Sequence, residues 1–352
     1  MEDNQQSLLN TPLHGVQLLD TANKLPTSLK QVSNTAFTLP IDVQYSSYQK
    51  PHTQPIWQLV DQGERYLSVI QLFKTEQDYT LNIECEGTGS FAISKTAIKV
   101  NWQPQGTDFK HYLQSLGIAC WLELNAVPCI HANTISYQDQ AYLFIAPSRT
   151  GKSTLTTHLL GDGFQLMTDD MAAIHSLSAN EYMIYPSWPK VRLWPDSANN
   201  LVGAEIDIDN TKPMKAAENS VNNQESVKFS SIECKKVHQK FAKFEINLNS
   251  SDNNFWNSKP TKLKAIYYLD RSDNLDTFCH IKQLTASHSL MMLLQNSILA
   301  NAYTSMGVES QRLQSLAKLL TNIPVFNINY KSGLNYLPEV GKQLKKHITG
   351  LS

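Results

Sequence analysis

Cysteine is sparse, and its pattern excludes two functions. Cys85, Cys120, Cys129, Cys234 and Cys279 are odd in number and never stand at CxxC spacing. That argues against a zinc site or a disulfide framework and fits reduced thiols packed as small hydrophobes. Charge is also low, at 17% of residues, and 30 basic side chains against 31 acidic ones leave a net charge of -1. No broad positive surface is therefore expected for nucleic acid or an anionic membrane. No run approaches the roughly 18 consecutive apolar residues of a membrane span. The first thirty residues lack the basic start and apolar core of a secretory signal. The expected compartment is the cytoplasm. No repeat period is visible, and neither an LSGGQ-like segment nor an NKxD base-recognition motif occurs, so transport ATPases and GTPases fit poorly.

What is present is a chain of 352 residues with 41% apolar residues, enough for a folded core and long enough to suggest two domains. Residues 1–35 are rich in Gln, Asn, Thr and Ser and read as a loosely held polar lead-in. Residues 36–108 carry short β-rich runs, such as 66–73, 79–83 and 97–102, broken by Gly, Pro and Asp, and read as a small β-rich domain. From 109 the pattern becomes α/β. The spacing predicts a helix over 108–124, a strand at 142–145, a helix at 154–160 and a strand at 164–168. Residues 203–260 turn polar and are expected to be an insertion or mobile flap. A strand at 263–269, helices near 286–302 and 309–321, a strand at 325–328 and a helix from about 336 complete the prediction.

The chemistry concentrates between 131 and 192. Ala146-Pro147-Ser148-Arg149-Thr150-Gly151-Lys152-Ser153-Thr154 follows the phosphate-loop pattern GxxxxGKS/T except at its first position. Such a loop surrounds phosphates with backbone N–H groups at a helix N-terminus, adds a lysine charge and offers a hydroxyl to magnesium. Gly151 lets the backbone approach closely. Ala146 would be strained if its φ were positive. Lys152 is expected to be exposed when no nucleotide is bound. Asp169 and Asp170 end the next strand, where the carboxyl ends of an open α/β sheet face the ligand crevice. A carboxylate there can hold magnesium or take a proton from an attacking hydroxyl. On an extended chain the two point to different sides. His131, which alone would read as structural, becomes a candidate for sharing the transferred proton. Lys190 and Arg192 share a face, and Arg192 suits a phosphate or a substrate carboxylate. Trp188 and Trp194 read first as packing.

The stretch from Cys129-Ile130-His131-Ala132, through Leu143 to Thr154, to Gly163 through Asp170 resembles the catalytic core of HPr kinase/phosphorylase, and more closely its divergent HPr-kinase-like relatives. The resemblance implies an α/β P-loop kinase domain, related to the phosphoenolpyruvate carboxykinase fold, over 109–352, with ATP and Mg2+ as cofactors. It implies His131 as the active-site histidine, Lys152 on the phosphates, Ser153 on magnesium, Asp170 as the proton acceptor and Asp169 as its supporting neighbour. It further implies a peptide or protein substrate with an acceptor serine, and a homo-oligomer. Tyr185 through Asp196 stands in place of the glutamate signature used for phosphate removal, so kinase activity without the phosphorylase half is expected. Two alternatives stay open on the residues: a sugar or amino-acid kinase, and a nucleotide-binding regulator without catalysis.

Overall fold

The computed structural model describes residues 11–21, 35–46, 50–62, 67–76, 78–147, 150–160, 162–195, 197–198, 234–238, 241–248, 254–299 and 301–351. It is a mixed α/β structure with several sheets.

A seven-stranded sheet holds, in spatial order, Val16–Asp20, Phe37–Tyr45, Ile98–Gly106, Gly87–Ile93, Asp78–Glu84, Leu67–Thr75 and Trp57–Gln62. The last five form an antiparallel meander, and the first three run parallel. Alternation in these strands sends Leu39, Ile41, Leu81, Ile83, Phe91 and Val100 to one buried face. The expected polar lead-in is corrected here, because it contains a strand. Leu13, Val16 and Leu18 are the apolar residues of a polar stretch, and burying them pins Val16–Asp20 to the sheet edge.

The predicted helix over 108–124 is interrupted. Asp108 Oδ1 caps it by accepting from Lys110 N at 3.0 Å, and Phe109–Tyr112 is α-helical. Leu113–Gly117 then widens into a π turn before Ile118–Leu124 resumes as α-helix. The turn seats Gly117 against Phe91, where a Cβ would stand 3.3 Å from the ring. Phe109, Leu113, Ile118 and Trp121 share one core with the first sheet and with Ala302 and Tyr303, so the expected boundary at 108 does not divide the cores.

The second sheet has nine strands, with Gln140–Ile145 between antiparallel Ala132–Tyr137 and parallel Thr261–Ser272. Tyr142 and Phe144 face one side, and Ala141, Leu143 and Ile145 face the other. The first side packs on helices Lys152–Leu160 and Leu337–Thr349, the second on Ala286–Gln295 and Glu309–Leu320. A strand covered on both faces has to be apolar throughout, which is why 142–145 reads as a continuous run. Arg312 and Glu123 form a buried ion pair at 2.9 Å, and Glu123 Oε1 also accepts from Cys129 N at 2.7 Å.

Part of the expected flap is regular. Lys190–Leu193, Phe241–Asn247 and Cys234–His238 make a three-stranded sheet whose Val191, Leu193 and Ile246 join the core beside helix Lys152–Leu160. Residues 203–233, 239–240 and 249–253 of that expectation lie outside the described residues.

Candidate active site

The strand Gln140–Ile145 delivers the chain to Ala146, and the helix begins at Lys152, two residues earlier than predicted. Ser148 and Arg149 lie outside the described residues. Gly151 has φ 97°, and a Cβ there would stand 2.8 Å from Tyr330 Oη, so both conformation and space demand glycine. Tyr330 Oη donates to the Thr150 carbonyl at 2.6 Å and holds the end of the loop against the second sheet. Ala146 is fully buried, and its φ is not in the positive region. The missing glycine therefore carries no backbone penalty.

Lys152 is 7% exposed, against the expectation of an exposed lysine, and its Nζ donates to the Ala146 carbonyl at 3.1 Å. An ammonium is too costly to bury without acceptors, so it folds back on the strand end. Thr154 turns to another partner, its Oγ1 lying 2.8 Å from Ser197 Oγ.

Ser153 Oγ donates to Asp169 Oδ1 at 3.2 Å, and Asp169 Oδ2 accepts the Arg192 backbone N–H at 2.8 Å. Asp170 has φ 64°, a conformation that aspartate tolerates better than most residues. The chain bends there instead of remaining extended, so both carboxylates reach Arg192. Its Nη1 donates to Asp170 Oδ2 at 3.2 Å, and its Nε stands 3.8 Å from Glu245 Oε2. Lys190 Nζ meets the same Glu245 at 2.9 Å, consistent with Lys190 and Arg192 sharing a face. His111 lies in the field of this group. Burial first, and then the Arg192 guanidinium, push it down to about 3.

His131 Nδ1 lies 2.8 Å from the Asp170 carbonyl oxygen. A carbonyl only accepts, so the proton of a neutral His131 sits on Nδ1 and the lone pair on Nε2. The His131 backbone N–H donates to the Asn296 carbonyl at 2.6 Å.

Asn133, which the sequence reading passed over, ties these pieces together. Its Nδ2 donates to Ser153 Oγ at 3.2 Å and Thr156 Oγ1 at 3.1 Å, and its Oδ1 accepts Asp170 N–H at 3.3 Å. Its only sequence signal was a lone amide within a buried strand beside His131. Glu245 had none, lying inside the supposed flap.

Among the described residues, a cleft borders Asp170 and a small cavity borders both aspartates. The cleft, of about 460 Å³, is bordered by His131, Ala146, Pro147 and Asp170 together with Gln295, Asn296 and Ser297. A small cavity of about 20 Å³ is bordered by Asp169, Asp170, Lys190, Arg192, Trp188 and His14. Trp188 is otherwise core, donating from Nε1 to the Thr11 carbonyl at 3.3 Å. His14 is buried, its Nδ1 has no hydrogen-bond partner among the described residues, and burial pushes it down to about 3.

Among the described residues no group of three or more His, Cys, Asp or Glu is placed to hold a metal ion. Ser153 and Asp169 together offer two hard oxygens, the kind of partial set Mg2+ accepts when substrate phosphates and water complete its shell. Among the same residues no helix is long and apolar enough to cross a membrane.

No family model and no curated protein matches this chain. Among solved structures it is similar to the Hpr(Ser) kinase/phosphatase from Coxiella burnetii, at 11% identity and a TM-score of 0.29, over 63% of this chain and 97% of that one. That likeness is distant, and the reading of the site rests on its own geometry.

Proposed function

We propose that this chain is an ATP-dependent kinase that transfers a phosphoryl group to a hydroxyl, the acceptor being a serine of a peptide or protein. One observation carries the reading. A glycine-lysine-serine turn opens a helix at the end of a buried strand, and its serine hydroxyl meets a carboxylate from the next strand at 3.2 Å. ATP supplies the γ-phosphoryl group, and Mg2+ offsets its charge. Lys152 would exchange the Ala146 carbonyl for phosphate oxygens, while Ser153 and Asp169 would hold the cation. Asp170, braced by Arg192 and by its backbone bond to Asn133, accepts the acceptor's proton. His131 fixes the Asp170 carbonyl, so the carboxylate's aim follows from the backbone bend. On this reading residues 146–154 are a P-loop and 109–352 a kinase unit preceded by a β-rich segment.

The choice of a peptide or protein serine draws on the resemblance over 129–170. It is supported by the lining of the large cleft, where Gln295, Asn296 and Ser297 are polar but uncharged. Such a lining suits amide and hydroxyl groups better than a strongly charged metabolite.

The test is mass spectrometry after incubating the chain with ATP, Mg2+ and three separate pools: serine-containing peptides, free amino acids and sugars. Phosphate should appear on peptide serine, and Lys152→Ala should abolish it. Transfer only to sugars or free amino acids would retain a kinase and replace its substrate. ATP binding without transfer to any hydroxyl would support a regulator instead.

A further inference from the structure

Among the described residues only two, Asp170 and Ser115, border both the large cleft and the small cavity. They therefore stand together at the partition between the two spaces. Ser115 occupies the middle of the π turn Leu113–Gly117, a wide-turn geometry found frequently at functional sites. It is partly buried, and its hydroxyl makes no hydrogen bond with the described residues. A serine hydroxyl thus lines the same two spaces as Asp170, and among the described residues it has no hydrogen bond of its own to keep. The small cavity on its other side is bordered by Lys190 and Arg192 together with Asp169 and Asp170, and the two cations suit a phosphate once they turn from their carboxylate partners.

We infer that Ser115 is a phosphate acceptor within the same chain, modified by the site it borders. This inference rests on the kinase reading above. Ser115 Oγ bonds to the γ-phosphorus of ATP as the bond from that phosphorus to the bridging oxygen breaks, and ADP leaves. The hydroxyl proton passes to Asp170 and from there to solvent. The phosphoserine then draws Arg192 and Lys190 from their carboxylate partners and occupies the acceptor side of the partition. Self-modification would in this way compete with transfer to any outside hydroxyl.

The full chain is incubated with ATP and Mg2+, digested, and mapped by mass spectrometry over a range of protein concentrations. One phosphoryl group per chain is expected on Ser115, at a rate constant independent of protein concentration. Ser115→Thr should carry the label on the replacement hydroxyl, and Ser115→Ala should lose it while still melting cooperatively. Asp170→Asn should lose label with Ser115 intact. Phosphate on outside peptides with Ser115 unmodified would overturn this inference and leave the kinase reading standing. A rate constant proportional to protein concentration would overturn it too, since it places the acceptor in another molecule. Absence of any transfer from bound ATP would remove both.

Discussion

Replacing Asn133 by alanine tests whether the buried amide organises the site. The side chain is fully buried and makes three hydrogen bonds of 3.1–3.3 Å. Their losses are unequal. Thr156 Oγ1 keeps its donations to the Lys152 and Ser153 carbonyls, and Ser153 Oγ keeps Asp169, so those two bonds cost about 0.5 kcal/mol each. The Asp170 N–H loses its Asn133 acceptor, a loss worth about 1–3 kcal/mol if no water replaces it. The sum is about 2–4 kcal/mol, or on the order of 5 °C in melting temperature for a chain of this size. Asp170 is held by that same bond, so the variant should also lose most of its phosphotransfer while retaining nucleotide binding. Scanning calorimetry with and without ATP and Mg2+, beside a transfer assay, measures both. A variant melting within about 1 °C of the parent, with unchanged transfer, would refute the assignment of Asn133 as the organiser of the acidic turn.

Asp170→Asn keeps shape and tolerates φ 64°, so transfer should fall about 100- to 10,000-fold with ATP affinity near normal; an active Asp170→Asn beside an inactive Asp169→Asn would reverse their roles. Ala146→Gly should lower the melting temperature by releasing unfolded-chain entropy, about 0.5–1 kcal/mol, because the position needs no positive φ; a rise would mean hidden strain. Acid should destabilise the fold through His14 and His175, pushed down by burial from 6.5 to about 3 and about 4. The unfolded chain takes these protons first, so stability is full above about pH 6.5 and falls by up to about 1.4 kcal/mol per pH unit per histidine towards pH 4. Urea midpoints at pH 7 and pH 5 should show that loss, and equal midpoints would contradict it.

The strand, turn and helix from 140 to 160 were legible because each signal is local: an apolar run, a glycine and a following helical spacing. The same holds for the helices at 309–320 and 337–349. What escaped depends on partners far along the chain. Val16–Asp20 is a strand only because Phe37–Tyr45 lies beside it. Phe241–Asn247 looked like part of a flap because its pairing residues, Lys190–Leu193, lie some fifty positions earlier. Within the site, residue types were readable and their mutual contacts were not. Arg192 suited a phosphate by chemistry, yet it is held by Asp170 and Glu245. The expectation that adjacent aspartates diverge assumed an extended chain, and the bend at Asp170 removes that premise.

The core shared across position 108 limits how this protein can be divided. Tyr79 Oη donates to the Met306 carbonyl at 2.8 Å, and Ser305 Oγ donates to the Ile56 carbonyl at 3.1 Å, so the first sheet grips the segment that leads into helix Glu309–Leu320. That helix carries Arg312 to Glu123, and Glu123 holds the Cys129 backbone two residues before His131. A fragment starting at 109 would bare Phe109, Leu113 and Trp121 and unseat the segment around Tyr303. Aggregation, and not an independent kinase unit, is the outcome this packing dictates. The first sheet behaves as a foundation for the histidine's strand, and a lineage that lost it would have to rebuild that wall before it could keep the chemistry.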